Sequence, residues 1–174
     1  MKNLVEHLSQ YADYHRDPRN IASHFIGIPL IVVAVAVLLS RPQWPVAGLG
    51  ISPAVLLAGV SAVFYLRLEL ALGLLMTVLL GLSVWVGQIL AAQSTLVWLA
   101  SGIGLFVIGW AIQFVGHYYE GRKPAFVDDL SGLIVGPLFV VAELLFLLGL
   151  RQELKHEIEA RVGVVQLREK RAAV

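Results

Sequence analysis

Apolar and polar positions fall in blocks along this chain, and the blocks predict its elements. Leu4, Leu8, Tyr11 and Tyr14 or His15 recur at helical spacing, with Lys2, Glu6, Gln10 and Asp13 elsewhere. Residues 3–14 therefore predict a short amphipathic helix of the kind that lies in a headgroup layer. Pro18 breaks the pattern, because the residue before a proline avoids the helical region. A second helix then starts near Asn20 or Ser23 and runs through FIGIPLIVVAVAVLLS to Ser40. RPQWP at 41–45 reads as a turn with an interfacial tryptophan, and RLE at 67–69 as a tight polar turn. Further apolar runs cover 46–66, 70–92 and 95–115, followed by a polar loop, GHYYEGRKPAF, at 116–126. A fifth apolar run at 130–150 ends in a charged tail that reads as helical. A membrane span needs about 20 apolar residues, so the first four runs qualify.

The fifth run differs. Asp128 and Asp129 stand at its start, Glu143 lies within it, and Gly136-Pro137 interrupts it. An interior proline costs about 3 kcal/mol or more, and a mid-membrane carboxylate about 2.5–3.5 kcal/mol on insertion scales. Both costs fall if the run is a broken or re-entrant pair of half-helices buried in protein. The predicted fold is thus an all-α polytopic membrane bundle. It has four spans, a broken or re-entrant fifth segment, an amphipathic N-terminal helix and a charged C-terminal helix. We expect one integral membrane domain over 1–174, with an interfacial helix at 1–19, the bundle at 20–150 and a tail at 151–174.

Composition agrees. Of 174 residues, 58% are hydrophobic and only 14% charged, against roughly 25% charged in a soluble domain. A net charge of +1 argues against a nucleic-acid partner. The absence of cysteine excludes disulfides, thiolate metal sites and cysteine nucleophiles. Asp13, Arg16 and Asp17 stand where a signal peptide would be apolar, so the first hydrophobic segment reads as an uncleaved anchor. Basic residues concentrate at Lys2, Arg16 and Arg19, at Arg122 and Lys123, and after residue 150. The positive-inside rule puts both termini and the 116–126 loop in the cytoplasm. An Ala/Leu/Val/Gly-rich chain of this kind points to a bacterial inner membrane, or to the endoplasmic reticulum in a eukaryote.

That topology gathers His15, His24 and His117 at one membrane face. Glu120 follows His117 by three, on the same helical face if the helix continues. Neutral imidazoles with a carboxylate suit iron, zinc or manganese, and two histidines with one carboxylate are typical of non-heme Fe(II) oxygenases. Two facing histidines such as His24 and His117 could instead serve as axial ligands of a haem. Glu143 and the broken segment would fit a non-enzymatic transporter or scaffold. A diiron hydroxylase or desaturase would need more histidines, in clustered boxes.

Two stretches decide among these. YHRDPRNIASHFIGIP at 14–29 and GWAIQFVGHYYEGRKPAFVDDL at 109–130, followed by GPLFVVAELLFLLG, resemble the 2-hydroxy fatty acid dioxygenase family. That family comprises a fungal endoplasmic-reticulum enzyme, which takes part in the metabolism of phytosphingosine to odd-numbered fatty acids, and its bacterial relatives. The resemblance implies Fe2+-dependent α-oxidation, in which a 2-hydroxy fatty acid and O2 give a fatty acid one carbon shorter. It implies His15, His24 and His117 as catalytic metal ligands, with Glu120 as a further candidate ligand. Pro18, Asn20, Gln113, Pro124, Ala125, Asp128 and Glu143 match other motif places. His7 and His156 match none. Asn20, Gln113 and Glu143 are expected at the substrate, and Arg122 and Lys123 are candidates for pairing with its carboxylate.

Overall fold

The computed structural model describes residues 2–46 and 49–168. Lys170 and Arg171, part of the basic tail, lie outside them. The chain is almost wholly helical: α1 (Leu4–Ala12), α2 (Pro18–Leu39), α3 (Pro53–Leu68), α4 (Leu70–Ala91), α5 (Thr95–Glu120), α6 (Gly132–Leu147) and α7 (Gln152–Val162). A two-stranded antiparallel hairpin, β1 (Trp44–Val46) and β2 (Leu49–Ile51), precedes α3, and one 3-10 turn (Ala125–Val127) precedes α6.

Local chemistry sets the helix ends. Asn3 and Glu6 form a reciprocal capping box at α1, satisfying two amides that a helix start leaves free. Asp17 begins α2: its Oδ1 accepts from the Arg19 amide at 2.9 Å, and Pro18 supplies the preset first turn. Ser52 and Pro53 begin α3 in the same way. Glu69 ends α3 and begins α4, its carboxylate accepting from the amides of Ala71 and Leu72.

α2, α4 and α5 are each long and apolar enough to cross a membrane, and a fourth span results if α6 and α7 count as one bent pair. Leu74, Val78, Leu82 and Trp85 on α4 and Val107 and Ile108 on α5 are exposed, as side chains in contact with lipid would be.

Three boundaries differ from the pattern-based expectation. The second apolar run does not enter helix at 46; the hairpin takes its start and leaves α3 with 16 residues, a shorter apolar helix. The presumed loop at 116–120 is the last turn of α5. Gly136-Pro137 does not break α6, which is held on both sides of the proline by buried Val135, Leu138 and Phe139. The break comes later, at 148–151, where Gly149 and Arg151 take positive φ and α7 leaves at 116° to α6.

The residues pack as two compact units, 1–28 with 111–174, and 29–110. In the second unit α3 and α4 form a tight hairpin. Gly73 allows it: a Cβ there would stand 2.6 Å from the Leu66 Cα. Gly87 likewise lies against the Ala36 backbone. Arg41 donates to the Ala91 carbonyl at 2.6 Å and its guanidinium covers the Trp98 ring, whose Nε1 donates to the Val37 carbonyl at 2.8 Å. In the first unit α1 packs on α6 and α7. The Tyr11 ring meets Phe139 at 5.0 Å, and Gly136 leaves room for the Tyr11 hydroxyl, which would lie 2.9 Å from an added Cβ.

Candidate metal centre

The site lies wholly within the first unit. The α1–α2 connection is a short turn in which the Tyr14 and His15 amides donate back to the Tyr11 and Ala12 carbonyls. This turn folds the His15 ring onto Tyr11, with centroids 4.2 Å apart and planes within 5°. His24 projects from the second turn of α2, and His117 from the last turn of α5. α5 comes close to α2 here because residue 116 is glycine: a Cβ there would stand 1.9 Å from Ser23 Oγ and 2.6 Å from Asn20 Oδ1.

The three rings converge. His15 and His24 centroids are 4.4 Å apart, and each lies 5.1 Å from His117. One ligand nitrogen from each falls within 4.8 Å of the other two, and all three side chains are buried. His15 Nδ1 donates to the Tyr11 carbonyl at 2.7 Å and His24 Nδ1 to the Asn20 carbonyl at 2.9 Å. A carbonyl only accepts, so both Nδ1 atoms carry the proton and both Nε2 atoms present lone pairs. Those two Nε2 atoms face each other at 3.0 Å.

Two lone pairs at that distance repel unless a cation lies between or beside them. A proton is disfavoured, since burial, and then the neighbouring His24 ring, hold His15 well below the ordinary imidazole pKa of 6.5. Two imidazole nitrogens bound about 2.0–2.1 Å from one ion, at a right angle, would stand about 3 Å apart. His117 Nδ1 is buried without a hydrogen-bond partner. The donor set therefore suits a divalent transition metal, and the carbonyls at His15 and His24 act as the outer partners that fix tautomer and ring orientation.

Glu120 stands behind this cluster. Its carboxylate accepts from the Arg16 amide at 3.0 Å, the Asp17 amide at 2.9 Å and Asn20 Nδ2 at 3.0 Å, and forms an ion pair with Arg168, whose Nε lies 2.8 Å away. These bonds tie the end of α5 to the turn that carries His15. Asn20 also donates to the Tyr14 carbonyl, and its buried Oδ1 has no hydrogen-bond partner. Gln113 is buried one turn before His117 on α5.

The other expected substrate contacts are engaged elsewhere. Arg122 pairs with Asp13 at 2.7 Å, and Lys123 with Asp128 at 2.5 Å, both at the surface. Glu143 faces buried Arg16 at 3.8 Å. His156 is exposed on α7. His7 lines a shallow, open surface pocket with Gln10, Tyr11, Tyr14 and Asp129.

Sequence reasoning gave Tyr11, Arg16, Asp17 and Arg168 no role at the site. Tyr11 lies four residues before His15, the spacing that stacks side chains on one helix face, and Asp-Pro is a helix-start signal. Nothing in the sequence links Arg168 to Asp17 across 151 positions.

The profile of the family described as "Mpo1-like: 2-hydroxy-palmitic acid dioxygenase Mpo1-like" matches residues 1–148. A curated relative, the 2-hydroxy-palmitic acid dioxygenase MPO1 of Saccharomyces cerevisiae (strain ATCC 204508 / S288c), is 34% identical over 166 residues, which cover 94% of this chain and 92% of that protein. No solved structure matches.

Proposed function

Because the chain belongs to the Mpo1-like family, we propose that it is a membrane-embedded 2-hydroxy fatty acid dioxygenase that uses one ferrous centre held by His15, His24 and His117. The observation that carries the metal assignment is the 3.0 Å approach of two buried lone-pair nitrogens, each fixed by a backbone carbonyl. A ferrous ion there would supply the redox chemistry with dioxygen. The reaction we assign is oxidative loss of the carboxyl carbon: a 2-hydroxy acid and O2 give the acid one carbon shorter, CO2 and water. Atoms balance, and the four electrons taken from the substrate reduce one O2.

The residues around the centre suit such a substrate. Its alkyl chain would lie along the apolar helices while its carboxylate and hydroxyl stay with the histidines. Asn20 Oδ1, buried and without a hydrogen-bond partner, faces Gly116, the residue before His117, and is our candidate acceptor for the 2-hydroxyl proton. Tyr11 packs over His15 and shields one face of the ring from water. Glu120 acts on the site through the backbone of Arg16 and Asp17.

The test is direct. Detergent-purified protein loaded with Fe(II) under air should convert a long-chain 2-hydroxy acid to the acid with one carbon fewer, read by product mass. The non-hydroxylated acid should be inert, and chelator or anaerobiosis should stop turnover. A product of unchanged chain length, or no turnover of any 2-hydroxy acid by iron-loaded protein, overturns the assignment.

A further inference from the structure

After α7 the chain turns back. Residues 163–168, beyond the segment that the family profile matches, run without regular structure across the turn that carries His15. The Gln166 amide donates to the Arg16 carbonyl at 2.9 Å, and Arg16 Nη1 donates to the Gly163 carbonyl at 2.9 Å. The Arg168 amide donates to Asp17 Oδ2 at 2.9 Å, and Arg19 Nη2 donates to the Arg168 carbonyl at 3.0 Å. Arg168 Nε then lies 2.8 Å from Glu120 Oε1 in an ion pair, where the Glu120 side chain is fully buried.

Residue 168 thus grips both acids that organise the turn. Glu120 holds the Arg16 and Asp17 amides, and Asp17 caps α2. His15 is the residue immediately before them. A buried carboxylate keeps its charge only if a cation and hydrogen bonds replace the lost water, and a planar guanidinium is the side chain best shaped to do so.

We propose that Arg168 is a positioning residue for the metal centre: the 163–168 strap locks Glu120 against the Arg16 and Asp17 amides and so fixes the imidazole of His15. This rests on the reading of the three histidines as an iron site. Outer partners of metal ligands typically contribute about 10–100-fold in metal affinity, and that is the effect expected here.

The experiment uses the full chain in detergent, wild type against Arg168→Ala, Arg168→Lys and Arg168→Gln, with Lys2→Ala as a surface-charge control. Iron retention is titrated against a chelator. Amide hydrogen exchange at Arg16 and Asp17 is followed in the metal-free protein. Arg168→Ala should lose iron about 10-fold or more readily and expose both amides to exchange. Arg168→Lys should recover part of the affinity, and Lys2→Ala should match wild type. At saturating iron the KM for the hydroxy acid should be unchanged. Arg168→Gln, which keeps the strap's backbone bonds without the charge, decides the matter if the alanine variant does not insert, and it should also lose iron. Wild-type protein that holds iron while the Ala and Gln variants hold it equally overturns the strap and leaves the metal centre standing, as does unchanged amide protection. Wild-type protein that retains no iron overturns the metal reading and this inference with it.

Discussion

The three histidines owe their orientation to neighbours in sequence and their meeting to residues far away. His15 and His24 are each locked by a carbonyl four positions earlier, on Tyr11 and Asn20, so their lone pairs are aimed before any ion arrives. His15→Ala, His24→Ala and His117→Ala should each abolish bound iron and lower turnover by more than about 100-fold, with membrane insertion intact, because each removes a ligand rather than an outer partner. Iron per chain and a flotation assay read the two effects separately. Asp17 gives a second, pH-based outcome. The Arg19 guanidinium, hydrogen-bonded to it, lowers its pKa from 3.8 to about 2. A depressed carboxylate stabilises the fold fully above its unfolded pKa, and that stability is lost as pH falls through the folded value. Thermal midpoints of metal-free wild type should therefore decline between about pH 4 and about pH 2, and Asp17→Asn should flatten that decline. At this scale the sequence was informative about ligand types, since histidines beside an apolar run are chemically conspicuous. It was silent on Glu120's partners: spacing puts Glu120 on the His117 face but does not say that the Arg16 and Asp17 amides wait there.

Among the elements, α5 carries the clearest lesson. GHYYE looks like the start of a polar loop. In the fold Gly116 is still helical, near the end of α5, and its missing Cβ lets α5 sit against Ser23 and Asn20. Gly116→Ala should destabilise by about 1–3 kcal/mol, the range for an overpacked contact, and should weaken iron binding along with it. Ser23→Ala in the same chain should restore part of both, because Ser23 Oγ is the atom in the way. Melting temperature and iron titration of the single and double variants check this; no recovery in the double variant would mean that Asn20 or the backbone sets the limit. Pro137 errs in the other direction. Proline usually ends a helix, but the flanking side chains of α6 are buried, and the chain bends instead where Gly149 and Arg151 take positive φ. Pattern reading finds helices by their faces. Their ends are decided by packing partners that the pattern does not contain.

For the whole molecule, the membrane assignment was legible from composition alone, and the order of apolar runs survives as the order of helices. Basic clusters at Lys2–Arg19 and after residue 150 predict both termini on the cytoplasmic side. Reporter fusions at each end should both report inside; a C-terminal fusion reporting outside would make the α6–α7 pair a full crossing. The sequence separations within the site carry one more consequence. Glu120 meets Arg16 across 104 positions, and Arg168 meets Asp17 across 151. A ribosome therefore delivers His15 and His24 early, His117 much later, and the strap later still. If the three imidazoles hold one ion as proposed, no nascent chain can complete that set before residue 117 has been made, nor engage the strap before residue 168. On the proposed reading, a chain terminated before residue 117 would therefore reach the bilayer without its full set of imidazole ligands.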